Sequence, residues 1–420
     1  MKVYSFLIIT AFVLAVTLVV LIGCKYDVTA PQWYNPPATT VSATIDSISP
    51  AQAIPGVNII TIYGKNFTGA FDTSVVHNAT TKTDTNIAYN GVYFNNVSAD
   101  ISSMTSTMLK VYRPNLATDS ATVIVAPTSA LVPGKFKPYK ISPVSKKYGA
   151  IVENLMLFTA TVDNAENLYV FSVTATASRK LTRITPSGGK DSVAKVLRAP
   201  IDARIGPDGR LYLIGTGGAS PNGNKGIQAV NLQTGEVKVW YTAKGPVKFG
   251  DFDAYGYLYA GGSLTDLEII APDSTSKLFS VYAASEILAV RASYGYLYVA
   301  AKVGGNTTIW KHSISAGGNL GAQEMVLDWS STGQFASRTI KNIAIAADGT
   351  LFIGTNAVSN AILIATPPLY KVDFFYKGIL PNYCPYFCWG NGNYMYLISG
   401  NTTPAQEWTV YQVDMGTNAH

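Results

Sequence analysis

Two carboxylates, a guanidinium and an amide carry most of the chemical potential of this chain: Asp202, Asp251, Arg204 and Asn342. With Lys248 and Tyr386 they form a set able to hold a polar ligand through charge-assisted hydrogen bonds and one aromatic face. The competing reading is that Arg204 and Asp251 pair with each other across neighbouring structural units and hold nothing. Catalysis by a Ser-His-Asp arrangement needs a histidine. Beyond residue 135 the chain offers only His312 and His420, and His312 alternates along Ile309-Trp310-Lys311-His312-Ser313 like an exposed strand residue. A calcium-dependent centre needs several convergent oxygen ligands, whereas the acids here are scattered and no glutamate joins them. The six tryptophans do not recur at a fixed period, so a docking ring for a large planar cofactor is absent. No cofactor and no enzyme activity are expected. A metal-dependent lactonase or hydrolase built on Asp202, Asp251 and Asn342 is the alternative.

Those residues acquire a common address from a phrase written six times: a turn residue, an apolar residue, an aromatic, then more apolar residues. The aromatics are Tyr169, Tyr212, Tyr259, Tyr298, Phe352 and Tyr396, separated by 43, 47, 39, 54 and 44 residues. A period of about 40–50 residues with four strand-sized segments per unit marks a β-propeller. Counting back eight residues from each aromatic gives the inner-strand positions Thr161, Arg204, Asp251, Val290, Ala344 and Cys388. Two residues earlier the same count reaches Asp202, Asn342 and Tyr386. The inner strands of a propeller face its central channel, so this register aims the candidate set at one place. This part of the chain, 135–420, resembles the six-bladed NHL/gluconolactonase-like propellers at the level of repeat grammar alone. The last repeat ends one strand short, and the extended segment from Lys137 to Lys147 is expected to supply the missing outer strand, because a closed ring leaves no exposed edge.

Residues 44–128 read as five or six short alternating strands bounded by Gly, Pro and Asn, the pattern of a β-sandwich. The phrase Gly64-Lys65-Asn66-Phe67, the Ser49-Pro50 near the start and the Arg113-Pro114 before the last strand resemble the IPT/TIG immunoglobulin-like domains. Gly64 is expected to leave its strand with positive φ, and Phe67 to bury in the sandwich. The fold class is therefore all-β, an immunoglobulin-like β-sandwich plus a six-bladed β-propeller.

Cys384 and Cys388 flank Pro385-Tyr386-Phe387, with no further thiol in the folded part. In an oxidising compartment a close pair suggests a local disulfide; two buried thiols are the alternative. A redox motif normally spaces its cysteines by two residues rather than three.

Residues 1–23 carry a basic start and an apolar run from Phe6 to Ile22, the length of a signal-peptide core. The closing Leu21-Ile22-Gly23-Cys24 resembles the bacterial lipobox, which implies lipidation at Cys24. Residues 24–43, rich in Pro and Thr, read as a flexible tether. Only 13% of residues are charged, and the formal charge of +6 is diffuse, which excludes the basic footprint of a nucleic-acid binder. Lipid anchor, spacer domain and propeller together resemble the surface glycan-binding lipoproteins of polysaccharide-uptake systems. That resemblance implies a non-catalytic envelope protein, outer-membrane or surface-exposed, whose partners are the membrane and a polysaccharide or envelope protein. A structural scaffold is a further alternative.

The lipid assignment has a direct check. Metabolic labelling with a palmitate analogue is expected to tag the wild type and not Cys24→Ala; equal labelling of both, or of neither, rejects it.

Overall fold

Each copy of the repeated phrase forms the second strand of an antiparallel sheet. The computed structural model describes residues 42–67, 74–78, 83–87, 90–127, 133–149, 156–173, 179–196, 198–217, 223–263, 266–282, 286–384, 386–400 and 408–418. Cys24, the signal-like segment and nearly all of the expected tether lie outside them. No helix among the described residues is long and apolar enough to cross a membrane.

Six sheets form the propeller. Their inner strands are Met156–Val162, Asp202–Ile205, Phe249–Phe252, Glu286–Ser293, Ile340–Ile345 and Tyr386–Trp389, taken as blades one to six. Each inner strand lies against the next, and that of blade six lies against that of blade one, so the blades close a ring. Blade six borrows its outer strand: Ser145–Tyr148 runs antiparallel to Thr409–Asp414, with Ser145 opposite Val413 and Tyr148 opposite Val410. The borrowed strand is shorter than the expected 137–147 segment. Gly134–Ile141 instead pairs with Ser120–Pro127 and completes a sheet of the sandwich, because its alternating Tyr139 and Ile141 bury in the sandwich core.

The apolar residues of each phrase are sealed between blades, as with Leu258 and Ala260 or Leu351 and Ile353. The turns before the phrases are fastened in a recurring way. In blade three, Asp253 accepts at Oδ1 from the backbone N–H of Tyr255 and of Tyr257, both at 2.9 Å, and at Oδ2 from the Tyr259 hydroxyl at 2.8 Å. Asp163 does the same for Ala165, Asn167 and Tyr169 in blade one, and Asp208 holds Arg210 and Tyr212 in blade two. One carboxylate thus closes a hairpin and orients the repeated tyrosine. Burial first, then the bond to Asp253, push the Tyr259 phenol far above its ordinary range.

The sandwich packs its sheets over Ile60, Ile62, Phe67, Val92, Phe94 and Val123. Gly64 differs from expectation. Its φ is not positive; the left-handed residue is Asn66, at φ 62°. Gly64 is needed for close approach, since a Cβ there would sit 1.9 Å from the Thr44 carbonyl oxygen and 2.5 Å from the Phe67 ring.

The sandwich is bolted to blade five. The Asn58 side chain donates to the Phe374 carbonyl at 2.6 Å and accepts from the Tyr376 N–H at 2.7 Å, which continues the blade's edge as a further strand would. Tyr112 donates to Asp373 at 2.6 Å, and Lys377 pairs with Asp100 at 2.8 Å.

The turn carboxylates predict a stability cost. Tyr259→Phe leaves the buried Asp253 short of one donor and should lower unfolding free energy by about 1–3 kcal/mol. Urea denaturation checks it; an unchanged midpoint contradicts the fastening role.

Candidate functional site

The strand register places one inner-strand residue of every blade opposite its repeated aromatic: Thr161, Arg204, Asp251, Arg291, Ala344 and Cys388. All six line a single cavity of about 740 Å³ on the ring axis. Its mouth is rimmed by the hairpins that follow the inner strands, among them Asp253-Ala254-Tyr255 and Ser293-Tyr294-Gly295.

Arg291 replaces the expected Val290, which pairs with Val299 instead. Blade four joins its first two strands through Tyr294-Gly295 alone, with φ of 51° and 75°, the two left-handed residues of a tight hairpin. The other inner hairpins are longer, so here counting back eight residues slips by one. The turns of blades one, two, three and five contain Asp163, Asp208, Asp253 and Asp348, whereas those of blades four and six have no acid, so the turn acid does not by itself mark the slip.

A charged cluster lies at the inner end of the cavity. Arg204 Nη1 stands 2.9 Å from Asp202 Oδ1, and its Nε stands 3.4 Å from Asp251 Oδ1. Arg291 Nη1 is 3.8 Å from Asp202 Oδ2, and its Nη2 donates to the Asn342 side-chain oxygen. Asn342 passes the chain on, donating to the Phe387 carbonyl at 2.6 Å. The network therefore spans blades two to six. Burial first, then the neighbouring Arg204 charge, lower the Arg291 pKa to about 10, against the opposing pull of Asp202 and Asp251. Burial pushes the Cys388 thiol up to about 12, although both guanidiniums favour its thiolate. At neutral pH Cys388 is a protonated thiol, unsuited to nucleophilic attack.

The candidate set thus divides. Arg204 and Asp251 line the cavity, while Asp202 and Asn342 stand one residue pair deeper on their strands and brace the guanidiniums. Tyr386, at the far end of the blade six inner strand, does not line the cavity. Lys248 precedes the blade three strand at that same end and pairs with Glu286 at 3.1 Å, away from the cluster. The pairing of Arg204 with Asp251 is present, yet it belongs to a cavity wall.

Cys384 and Cys388 are both free and buried. Cys388 lies on the axis, whereas Cys384 packs beside Phe375 and Leu380 and donates to the Pro381 carbonyl at 3.2 Å. Cys388 is held in the strand Tyr386–Trp389, whereas Cys384 precedes that strand, and the two thiols are not joined. His312 also departs from expectation: it is buried, with Nε2 2.7 Å from the Tyr282 hydroxyl and Nδ1 3.0 Å from the Gly321 carbonyl. Alternation along its strand could not show that Tyr282 and Phe279 cover that face.

Among the described residues no group of three or more His, Cys, Asp or Glu is placed to hold a metal ion. The donor set points the same way, because a cation near Asp202 or Asp251 would meet two guanidiniums already using those carboxylates.

The depth of the cluster sets a contrast in stability. Asp202, whose side chain is 10% exposed, touches both guanidiniums, so Asp202→Ala should cost on the order of 3–5 kcal/mol by leaving buried charge uncompensated. Lys248→Ala breaks a half-exposed pair and should cost about 0–1 kcal/mol. Chemical denaturation of the two variants checks the contrast, and equal costs would contradict it.

Residues 43–139 match the IPT/TIG domain. No curated protein sequence matches the chain. Among solved structures, a protein of unknown function from Bacteroides thetaiotaomicron superimposes with a TM-score of 0.47 at 10% identity, over 90% of this chain and 99% of that one. An auxiliary nutrient binding protein from Bacteroides ovatus gives 0.46 at 13% identity, with the same coverage of 90% and 99%. A putative gluconolactonase gives 0.43 at 12% identity, over 63% of this chain and 94% of its own. The family match shows an IPT/TIG domain at residues 43–139, and the six sheets described above form the propeller joined to it.

Proposed function

We propose that this protein is a non-catalytic binding protein of the cell envelope, anchored through Cys24, that holds a glycan in the axial cavity of its propeller. One observation carries the reading: the same register position of all six blades converges on a single cavity, and the charged groups there are tied to one another. Among the described residues that line the cavity, no acid, base and nucleophile stand in reach of each other. Asp251 is held by Arg204 and by the Ala292 N–H, Cys388 is a protonated thiol, and His312 is buried in blade four. The sandwich fits the same picture. Its bonds to blade five make it a rigid spacer between the anchor and the cavity.

A glycan array probed with the purified chain, with and without chelator, tests this. Binding to a polysaccharide that survives chelation is the expected result. Calcium-dependent thermal stabilisation accompanied by lactone hydrolysis would replace it with a metal-dependent lactonase. Silence in both assays would favour a scaffold.

A further inference from the structure

The geometry points to a sugar acid: we propose that the glycan unit in the cavity carries a carboxylate, a uronate, gripped by Arg204 with Arg291 beside it. This rests on the reading of the cavity as a glycan site and adds the chemistry of its ligand.

The argument starts from donors and acceptors. Arg204 lines the cavity with a side chain only 10% exposed. Its Nε faces Asp251, and its Nη1 faces Asp202 and donates to the Ala203 carbonyl. Its Nη2 is buried and has no hydrogen-bond partner among the described residues. A buried guanidinium nitrogen left without an acceptor is costly, and a small turn of the side chain toward the cavity would let a ligand oxygen remove that cost. Arg291 adds a second guanidinium to the same wall.

The acids cannot use that spare capacity. Asp202 accepts from the Ala203 N–H at 3.0 Å and the Gly250 N–H at 3.4 Å, one on each oxygen. Asp251 likewise accepts from Phe252 and Ala292, both at 3.1 Å. Asp163 and Asp253, which also line the cavity, have both oxygens occupied by turn N–H groups and by the Tyr169 and Tyr259 hydroxyls. The wall therefore keeps a spare donor on a guanidinium, the group whose geometry matches a carboxylate.

The rim supplies the sugar chemistry. Tyr255 and Tyr294, 58% and 48% exposed, stand at the mouth on blades three and four, with Trp389 on blade six. Such faces stack on the C–H surface of a pyranose. A cavity of about 740 Å³ lies within the usual ligand-pocket range of roughly 300–1,000 Å³.

Calorimetry with the full-length chain in detergent tests the proposal, using trimers of galacturonate, glucuronate and mannuronate beside the same trimers with their carboxyl groups reduced to alcohols. At least one acidic trimer should bind, and its reduced form should bind at least tenfold more weakly. That comparison uses the wild type alone and does not depend on any variant folding. Arg204→Gln, with its fold verified by circular dichroism, should lose at least tenfold for the acidic trimer. Tyr255→Ala, at an exposed position, should weaken it while leaving the thermal midpoint unchanged. If reduced and acidic trimers bind equally, or only neutral glycans bind, the carboxylate proposal falls while the glycan reading stands. If no acidic trimer binds, the proposal falls and the array alone judges the cavity.

Discussion

The guanidinium of Arg204 lies between carboxylates from its own blade and the next, and the centre of this protein is organised around that fact. Asp202 reaches on to Arg291 of blade four, Arg291 to Asn342 of blade five, and Asn342 to the Phe387 carbonyl of blade six. Along the axis, where inner strands converge without a sheet to join them, this polar chain substitutes for backbone pairing between blades. Away from the axis the blades are held by apolar packing, as in the clusters that join Phe171 with Leu213 and Ile309 with Leu363.

Burying such charges costs several kcal/mol per ion, and an apolar replacement is often as stable. The cluster therefore cannot be explained by stability alone. Its carboxylates are occupied by backbone N–H groups, while the Arg204 guanidinium, on a residue that lines the cavity, keeps one nitrogen without a partner among the described residues. That asymmetry is what a site for an acceptor-bearing ligand requires.

Much of this was legible in the chain itself. The repeated aromatic announces a strand buried on both faces, and in blades one to three an acid a few residues upstream fastens the turn before it. That made the number of blades and the address of Arg204 and Asp251 readable. Arg291 was hidden by a two-residue hairpin that shifts the register by one. Lys248 and Tyr386 were misplaced for another reason. Register says which face of a strand a residue occupies but not how far along the axis it lies, and Lys248 finds Glu286 at the end away from the mouth. The cysteine pair misled because spacing in sequence does not show that Cys384 enters an apolar cluster while Cys388 lines the cavity, and His312 because its cover comes from outside its own strand.

A structure of the protein with its bound glycan is the most direct test of the central claim, that the axial cavity is the binding site and Arg204 its anchor. The account predicts a ligand oxygen within about 3 Å of Arg204 Nη2 and a sugar ring against the rim aromatics. A glycan seated on the sandwich, or at the Lys248–Glu286 end of the ring with the Arg204 nitrogen still unpartnered, would contradict it.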